Sequence, residues 1–541
     1  MGQDVEGLLK APVLTMNGGI SIGQIATFTP LDSIAPPNPY ALYVGGNLNF
    51  SLFGVVNVPL SFAYTNLQLS KSVSLPFNRF SLSPSYKWVK TYMGYTSMQF
   101  SPYSLAGHEL FGGGVELTPN EQWTVSALYG RLQKASLGED ETDPTYQRMG
   151  GGLKVGYKGK KFDLAANVFN AQDYPSSVHF DHPDSIGLSP QANLSGSVEA
   201  NIKLIPHVSW QTEYGFSLLN RNRTESDRAL YHAINSRLTY SIDLGSIGAA
   251  YERVAPNYTT LGAYYMTNDY ENITGSVSTT IKKVNIAFEG GYQRDNLDDQ
   301  KNSSTSRMIY SGNISSNVSK RLSLAASFSN LQSYLYINDV YSQVTQTNQF
   351  ENLDTLNVTQ LNYTASLNAS YLLQSSEKQR QNLSANFQYQ KSAEAQQYST
   401  FAGTNIYNMA LSYQLSLVPS KLDISTSSGY NYTQGLENRN NKSITYNLSV
   451  QKTFLEKLKT AFNATYSNMN QSGNELNVLN LRFSAGTTLW ERHNVNFSFT
   501  TLYSEGNAKK QLQYAANLTY SYAFNTTLSR KSKRLHWDAQ F

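Results

Sequence analysis

Two short stretches gather side chains that could hold a metal ion. VHFDHPD places His179, Asp181, His182 and Asp184 together, and imidazole with carboxylate is a donor set for a divalent transition metal. GEDETD places Glu139, Asp140, Glu141 and Asp143 together, hard oxygens of the kind calcium takes. The first has no zinc-type spacing and the second lacks the pattern of an EF-hand loop. Both therefore read as polar loops, the acidic one solvated or bridged by cations to lipid head groups. His108, His207, His232 and His493 are scattered and offer no local catalytic signature. With no cysteine there are no thiolate ligands, disulfides or cysteine nucleophiles. The expectation is a protein that is not an enzyme and uses no metal or cofactor.

The elements that would carry such residues are strands. Only 15% of the 541 residues are charged, yet the mean hydropathy is -0.41, so polarity comes from uncharged Ser, Thr, Asn, Gln and Tyr. Thirty-eight Tyr and 24 Phe against 17 Pro favour a pleated surface, where aromatic side chains pack well and proline breaks the ladder. A net charge of +4, dispersed along the chain, gives no basic stripe for nucleic acid. No stretch approaches the roughly 18 consecutive apolar residues of a spanning helix. Membrane insertion would then require a closed barrel, in which every strand edge is paired.

Residues 511–524, QLQYAANLTYSYAF, alternate without interruption. Leu512, Tyr514, Leu518, Tyr520, Tyr522 and Phe524 fall on one face, and Gln513, Asn517, Thr519 and Ser521 on the other. A period of two marks a strand, and an apolar face closing on Tyr520, Tyr522 and Phe524 suits contact with lipid. The same division recurs in residues 207–219, 284–293 and 381–390. It sets Gln211, Glu213, Glu289, Asn386, Gln388 and Asn517 on the polar face, expected to line a lumen. Short turns near Lys90 and Thr91, Asn120, Lys160, Pro206, Gly245, Lys283, Arg321, Glu377, Pro419, Glu456 and Glu491 alternate with longer polar connections. In an outer-membrane barrel the short turns are periplasmic and the long connections extracellular.

The fold class expected is all-β, a transmembrane antiparallel up-and-down barrel of about 26 strands, with a backbone diameter of roughly 50 Å. Its parts are an N-terminal periplasmic segment (residues 1–10), the barrel (11–524) and a basic periplasmic tail (525–541). The first strand, within residues 11–28, should pair with the last. The start, MGQDVEGLLK, has no apolar signal core and reads as a mature form. Trp88, Trp123 and Trp210 lie beside proposed short turns and share parity with apolar neighbours, as an interfacial girdle requires. Trp490 does not share that parity. A soluble sandwich seldom needs two dozen strands, and no 20- to 30-residue repeat marks a solenoid.

The closing strand and hairpin rhythm resemble Gram-negative outer-membrane barrels. The stretch FNRFSLSPSYKWVKTYMGYTSMQFSPYSLAGHELFGGGVELTP (77–119) is similar to large barrel proteins of Bacteroidota. The resemblance implies location in the bacterial outer membrane and contact with its lipids. Neither a separate N-terminal plug domain of the TonB-dependent type nor a periplasmic repeat domain is visible. A polar, weakly charged inner face then points to a passive channel or conduit for polar solutes. The alternative is the barrel subunit of a larger envelope machine for secretion, barrel assembly or surface attachment, with envelope protein partners.

Overall fold

A computed structural model describes residues 12–30, 39–66, 79–137, 144–178, 188–223, 228–300, 306–330, 361–394, 402–435, 440–471, 473–506, 510–531 and 534–538. Among these residues, 28 strands form a single sheet. They are β1 Leu14–Phe28, β2 Tyr40–Leu52, β3 Val56–Thr65, β4 Arg79–Leu82, β5 Ser85–Tyr86, β6 Val89–Thr96 and β7 Leu110–Leu117. Next come β8 Trp123–Gln133, β9 Gln147–Lys158, β10 Phe162–Tyr174, β11 Ala192–Ile205, β12 Val208–Asn220, β13 Arg228–Ile242 and β14 Gly245–Val254. These are followed by β15 Tyr270–Ile281, β16 Val284–Asp295, β17 Ser306–Asn317, β18 Leu322–Ser329, β19 Leu361–Ser375, β20 Gln379–Glu394 and β21 Ala402–Leu417. The last are β22 Leu422–Gln434, β23 Asn440–Phe454, β24 Leu458–Gln471, β25 Asn474–Leu489, β26 His493–Gly506, β27 Lys510–Lys531 and β28 Arg534–Asp538.

Each strand but β4 pairs antiparallel with its successor, and β1 closes the ring against β27 from Leu14↔Leu528 to Phe28↔Tyr514. The expected pairing of first and last strands is therefore present. β4 and β5 are two halves of one wall strand: both pair with β3 and with β6. Ser83 and Pro84 separate them, as proline cannot donate to the ladder, and the free Pro84 carbonyl accepts from Thr91 N–H at 2.8 Å. With β28 lying outside the ring, the closed wall has 26 strands.

The strands do not end where alternation fails. Phe524 is the expected last residue of the wall, but β27 continues to Lys531, because Leu14 to Asn17 of β1 supply ladder partners as far as Leu528 and β28 supplies them beyond. β28 then folds back onto Thr527–Lys531, so part of the expected tail is strand. At the other expected boundaries, Lys90 and Thr91 lie inside β6 and the turn falls at Lys87 and Trp88, while Gly245 opens β14. Leu455 and Glu456, and Trp490 and Glu491, have positive φ at the centres of hydrogen-bonded turns within three-residue connections. Such primed turns match the right-handed twist of the flanking strands.

The register carries one face continuously around the ring. Glu213 and Gly215 of β12 belong to the same face as Ala233, Val254 and Ser276, and this face leads through Asn285, Ser315, Ala325 and Asn368 to Asn386. Farther round it includes Ser498 and Asn517. Ser101, from a connection folded inside the ring, donates to Glu213, which identifies this face as the interior. The opposite face is apolar: Leu230, Ile234, Leu238 and Tyr240 of β13 are exposed, whereas Ala233 between them is buried.

Candidate functional site

Two connections turn inward. Residues 97–109 join β6 to β7 and residues 255–269 join β14 to β15, and they meet inside the ring. Leu105 bridges Gly262 in parallel, and Ala106 N–H donates to the Gly262 carbonyl at 2.9 Å. Met98, Phe100, Leu105 and Leu261 pack with Leu110, Leu128, Phe169 and Ala171 of the wall. Beside them Tyr103 and Tyr258 pack with Ala233 and Val254. Burying aromatic side chains of this size is the main apolar contribution to seating the plug.

The wall makes room by omitting side chains. Gly114, Gly152 and Gly215 lie on the inner face against plug side chains. A Cβ at Gly152 would stand 2.9 Å from Phe100 Cε2, and one at Gly215 would stand 2.6 Å from Tyr103 Cβ. Gly215→Leu should therefore unseat Tyr103 without opening the ring, because the atoms its Cβ meets first belong to the plug side chains Tyr103 and Tyr258. Chymotrypsin should then cut at Phe100 or Tyr103 in the folded variant and spare them in the parent; equal resistance of the two would show that the cradle is dispensable.

Polar groups at the contact between plug and wall are paired, as burial demands. Ser104 Oγ donates to Asn167 Oδ1 at 2.5 Å, and Asn167 Nδ2 donates to Ser197 Oγ at 2.7 Å. Asn193 receives Leu261 N–H at 3.2 Å and donates to Ser217 Oγ at 2.7 Å. Tyr258 OH donates to the Tyr103 carbonyl at 2.7 Å, and Thr260 Oγ1 donates to the Ser104 carbonyl at 2.5 Å. Lys154 Nζ donates to the Phe100 carbonyl and pairs with Glu199 at 2.9 Å. Arg148 grips Asp173 with two bonds of 2.8 and 3.0 Å.

Within the plug, burial holds the Tyr103 and Tyr258 hydroxyls protonated by raising their pKa values. Burial also lowers that of His108, whose ring stacks on Tyr264 at 3.9 Å and whose Nδ1–H donates to the Glu109 carbonyl at 2.8 Å. Glu109 is pushed up by burial, against the opposing pull of Arg79 at 2.9 Å.

The inner wall away from the plug has another character. From β17 to β27 and on through β3 it presents Ser, Thr, Asn, Gln, Ala and Gly at most positions. Neighbouring strands join through these groups: Ser327 with Ser366 at 2.7 Å, Ser384 with Ser412 at 2.6 Å, and Asn447 with Thr465 at 2.7 Å. Arg380, Asp423, Lys459 and Arg482 are the charged exceptions among described side chains there. Recesses of about 570 and 370 Å³ lie against this wall, the larger lined by Lys459, Arg482, Ser498, Asn517 and Thr519.

No protein-family model matches the chain, and comparison with characterised proteins by sequence finds no match. Among solved structures, the P pilus usher PapC translocation pore aligns over 94% of this chain and 99% of its own, at 9% identity and TM-score 0.41. The ferric citrate transporter FecA in its unliganded form aligns over 95% and 79%, at 10% identity and TM-score 0.40. OccAB3 of Acinetobacter baumannii aligns over 94% and 99%, at 9% identity and TM-score 0.33. Likeness this remote leaves function to the residues of this chain.

The residues singled out in the sequence distribute as follows. Glu213 lies under the plug, and Glu289 accepts from Arg237 at 3.0 Å and Thr274 at 3.2 Å. Gln211 lies on the inner face opposite Arg237. Asn386 donates to Asn368 at 2.5 Å, Gln388 follows it on the inner face, and Asn517 is buried against β26. Tyr520, Tyr522 and Phe524 lie on the outer face of the seam, the rings of Tyr522 and Phe524 4.6 Å apart. Trp88, Trp123 and Trp210 are exposed near the short-turn end, as is Trp490 within its turn. His179, Asp181, His182, Asp184 and the stretch 139–143 lie outside the described residues.

The expectation of a weakly charged interior fits only part of the ring. Lys154, Glu199, Glu213, Arg237, Glu252 and Glu289 all face inward between β9 and β16, where plug and wall supply their partners. Sequence reasoning also missed the plug. Its available signal was glycine at alternate inner positions, Gly112 and Gly114, then Gly150 and Gly152, following a connection that contains Phe100, Tyr103 and Leu105.

Proposed function

We propose that the protein spans the bacterial outer membrane and provides a passive conduit for polar solutes along the neutral part of its inner wall. The observation that carries this reading is the division of the wall: apolar side chains exposed outside, amides and hydroxyls inside. A polar lining with few charges hydrates a path without the strong ion preference that rings of one charge impose. Exposed Trp88, Trp123 and Trp210 serve as the interfacial girdle at the short-turn end. Gln388, Asn386 and Asn517 line the path, while Gln211, Glu213 and Glu289 belong to the plugged side.

The folded barrel should conduct in a planar bilayer with weak cation–anion preference. Liposomes containing it should admit neutral sugars. A pure, heat-modifiable barrel that never conducts would sink the conduit reading, and recovery away from the outer-membrane fraction would sink the location.

The hairpin of β27 and β28 favours a second reading, a subunit of an envelope assembly. It extends past the β1 partner Leu14 at the short-turn end, where a periplasmic protein could add to it. Consistent co-purification in mild detergent that is lost on removing residues 532–541 would support this reading; a solitary barrel would count against it.

A further inference from the structure

The outer face of β20 to β23 is graded in depth at its long-connection end. Phe387, Met409, Tyr430 and Ile444 form one cross-strand row. The next row outward is Tyr389, Tyr407, Tyr432 and Lys442, and beyond it come Lys391, Asn405, Gln434 and Asn440. Oil gives way to aromatic rings, then to cations and amides, within three rows.

The tyrosines are ordered against each other. Tyr389 and Tyr407 lie 5.0 Å apart, and Tyr407 and Tyr432 stack at 6.0 Å. Lys391 Nζ stands 5.9 Å from the Tyr363 ring and Lys442 Nζ the same distance from Tyr432, each within cation–π range. Among the described residues of β19 to β23, no carboxylate lies on this outer face. Asn405 Nδ2 donates to Gln434, and Asn440 Oδ1 is buried without a hydrogen-bond partner. Two cations with no carboxylate beside them among the described residues, set above an aromatic shelf, suit phosphate, and the adjoining amides suit sugar hydroxyl or amide groups.

We infer that this surface is a docking site for a phosphorylated glycolipid of the outer leaflet, its phosphates on Lys391 and Lys442 and its saccharide on the Asn405, Gln434 and Asn440 edge. The inference rests on the proposed membrane orientation, which places the long connections outside. The tyrosine row would meet the upper acyl chains, and the cations would sit at head-group depth. Cations flank rings at the short-turn end as well, Lys87 at Tyr86 and Lys452 at Phe454; what sets this end apart is the row of amides beside the two cations.

The test uses full-length barrel in neutral-lipid nanodiscs with lipid A as probe. Binding should weaken on the order of tenfold in the K391Q/K442Q double variant, from the loss of two head-group cations. Phosphatidylglycerol, anionic but without sugar, should not displace lipid A, and inorganic phosphate should compete only weakly. K452Q removes a cation on the same face of β23 near its short-turn end, 5.0 Å from the Phe454 ring, and should leave binding unchanged. Equal binding by parent and double variant would overturn the inference, as would displacement by phosphatidylglycerol. Heat-modifiable migration establishes that each variant is folded. A barrel found outside the outer membrane would defeat the orientation, while the nanodisc result would still report on the surface itself.

Discussion

Replacing residues 97–109 with a short Gly-Ser turn should raise single-channel conductance by about twofold or more, since a seated obstruction would leave the ion path. The ring should survive the change. Thr96 and Leu110, which flank the segment, are paired neighbours across β6 and β7, so a hairpin turn can join them without moving either strand. Residues 255–269 have the same relation to the wall, because Val254 and Tyr270 are also paired. Both segments are thus insertions at hairpin ends, and what they build lies inside the ring.

Removing only the first segment exposes the plug side of the wall. Lys154 loses the Phe100 carbonyl but keeps Glu199, while Glu213 loses Ser101 and becomes hydrated. The wider path should consequently favour cations more than the proposed parent path does, because carboxylates outnumber cations among the inward charges of β9 to β16. Phe100→Ala supplies a milder version. Truncating a buried Phe costs roughly 3–5 kcal/mol, here drawn from the seating of one loop, so the variant should conduct with frequent transitions to a larger level. Unchanged conductance in the segment replacement would mean that the conducting path never passes the plug.

The barrel and its interior differed in how far they could be read from sequence. Alternation is local, so Leu518, Tyr520 and Tyr522 identify their own strand and its apolar face without reference to another part of the chain. Closure by β1 and the count of 26 wall strands follow from adding such units in a hairpin rhythm. The plug depends on pairs distant in sequence: Ser101 meets Glu213 112 positions away, and Tyr258 meets Tyr103 across 155. No period reports such contacts. Gly152 looks like a weak point in a strand until Phe100 is seen against it. The end of β27 was missed for another reason: Thr526 is polar on the outer face, yet Met16 of β1 still pairs with it. Ladder partners, rather than the residue's own hydropathy, extend the strand there.

Phe499→Arg should destabilise the barrel by roughly 2–4 kcal/mol in a lipid bilayer, the cost of arginine on the lipid face near the midplane of a transmembrane barrel. Phe499 occupies the middle of β26 and is 39% exposed. Its cross-strand neighbour Phe483 and the next ring in that row, Phe462, are also exposed, and Tyr514 stacks at 5.9 Å. In water this row would be a large apolar patch, and replacing one of its phenyl rings by arginine would cost little or improve solubility. In lipid the guanidinium has no such hydration. Ser498→Arg is the matched control, because Ser498 faces inward beside Asn517 and lines the larger recess. It should leave stability nearly unchanged while shifting selectivity toward anions. Urea titration of folding into vesicles, read by heat-modifiable migration, separates the cases: a large loss for the outer substitution and little for the inner one defines the lipid face, whereas equal small effects would place the barrel wall in water.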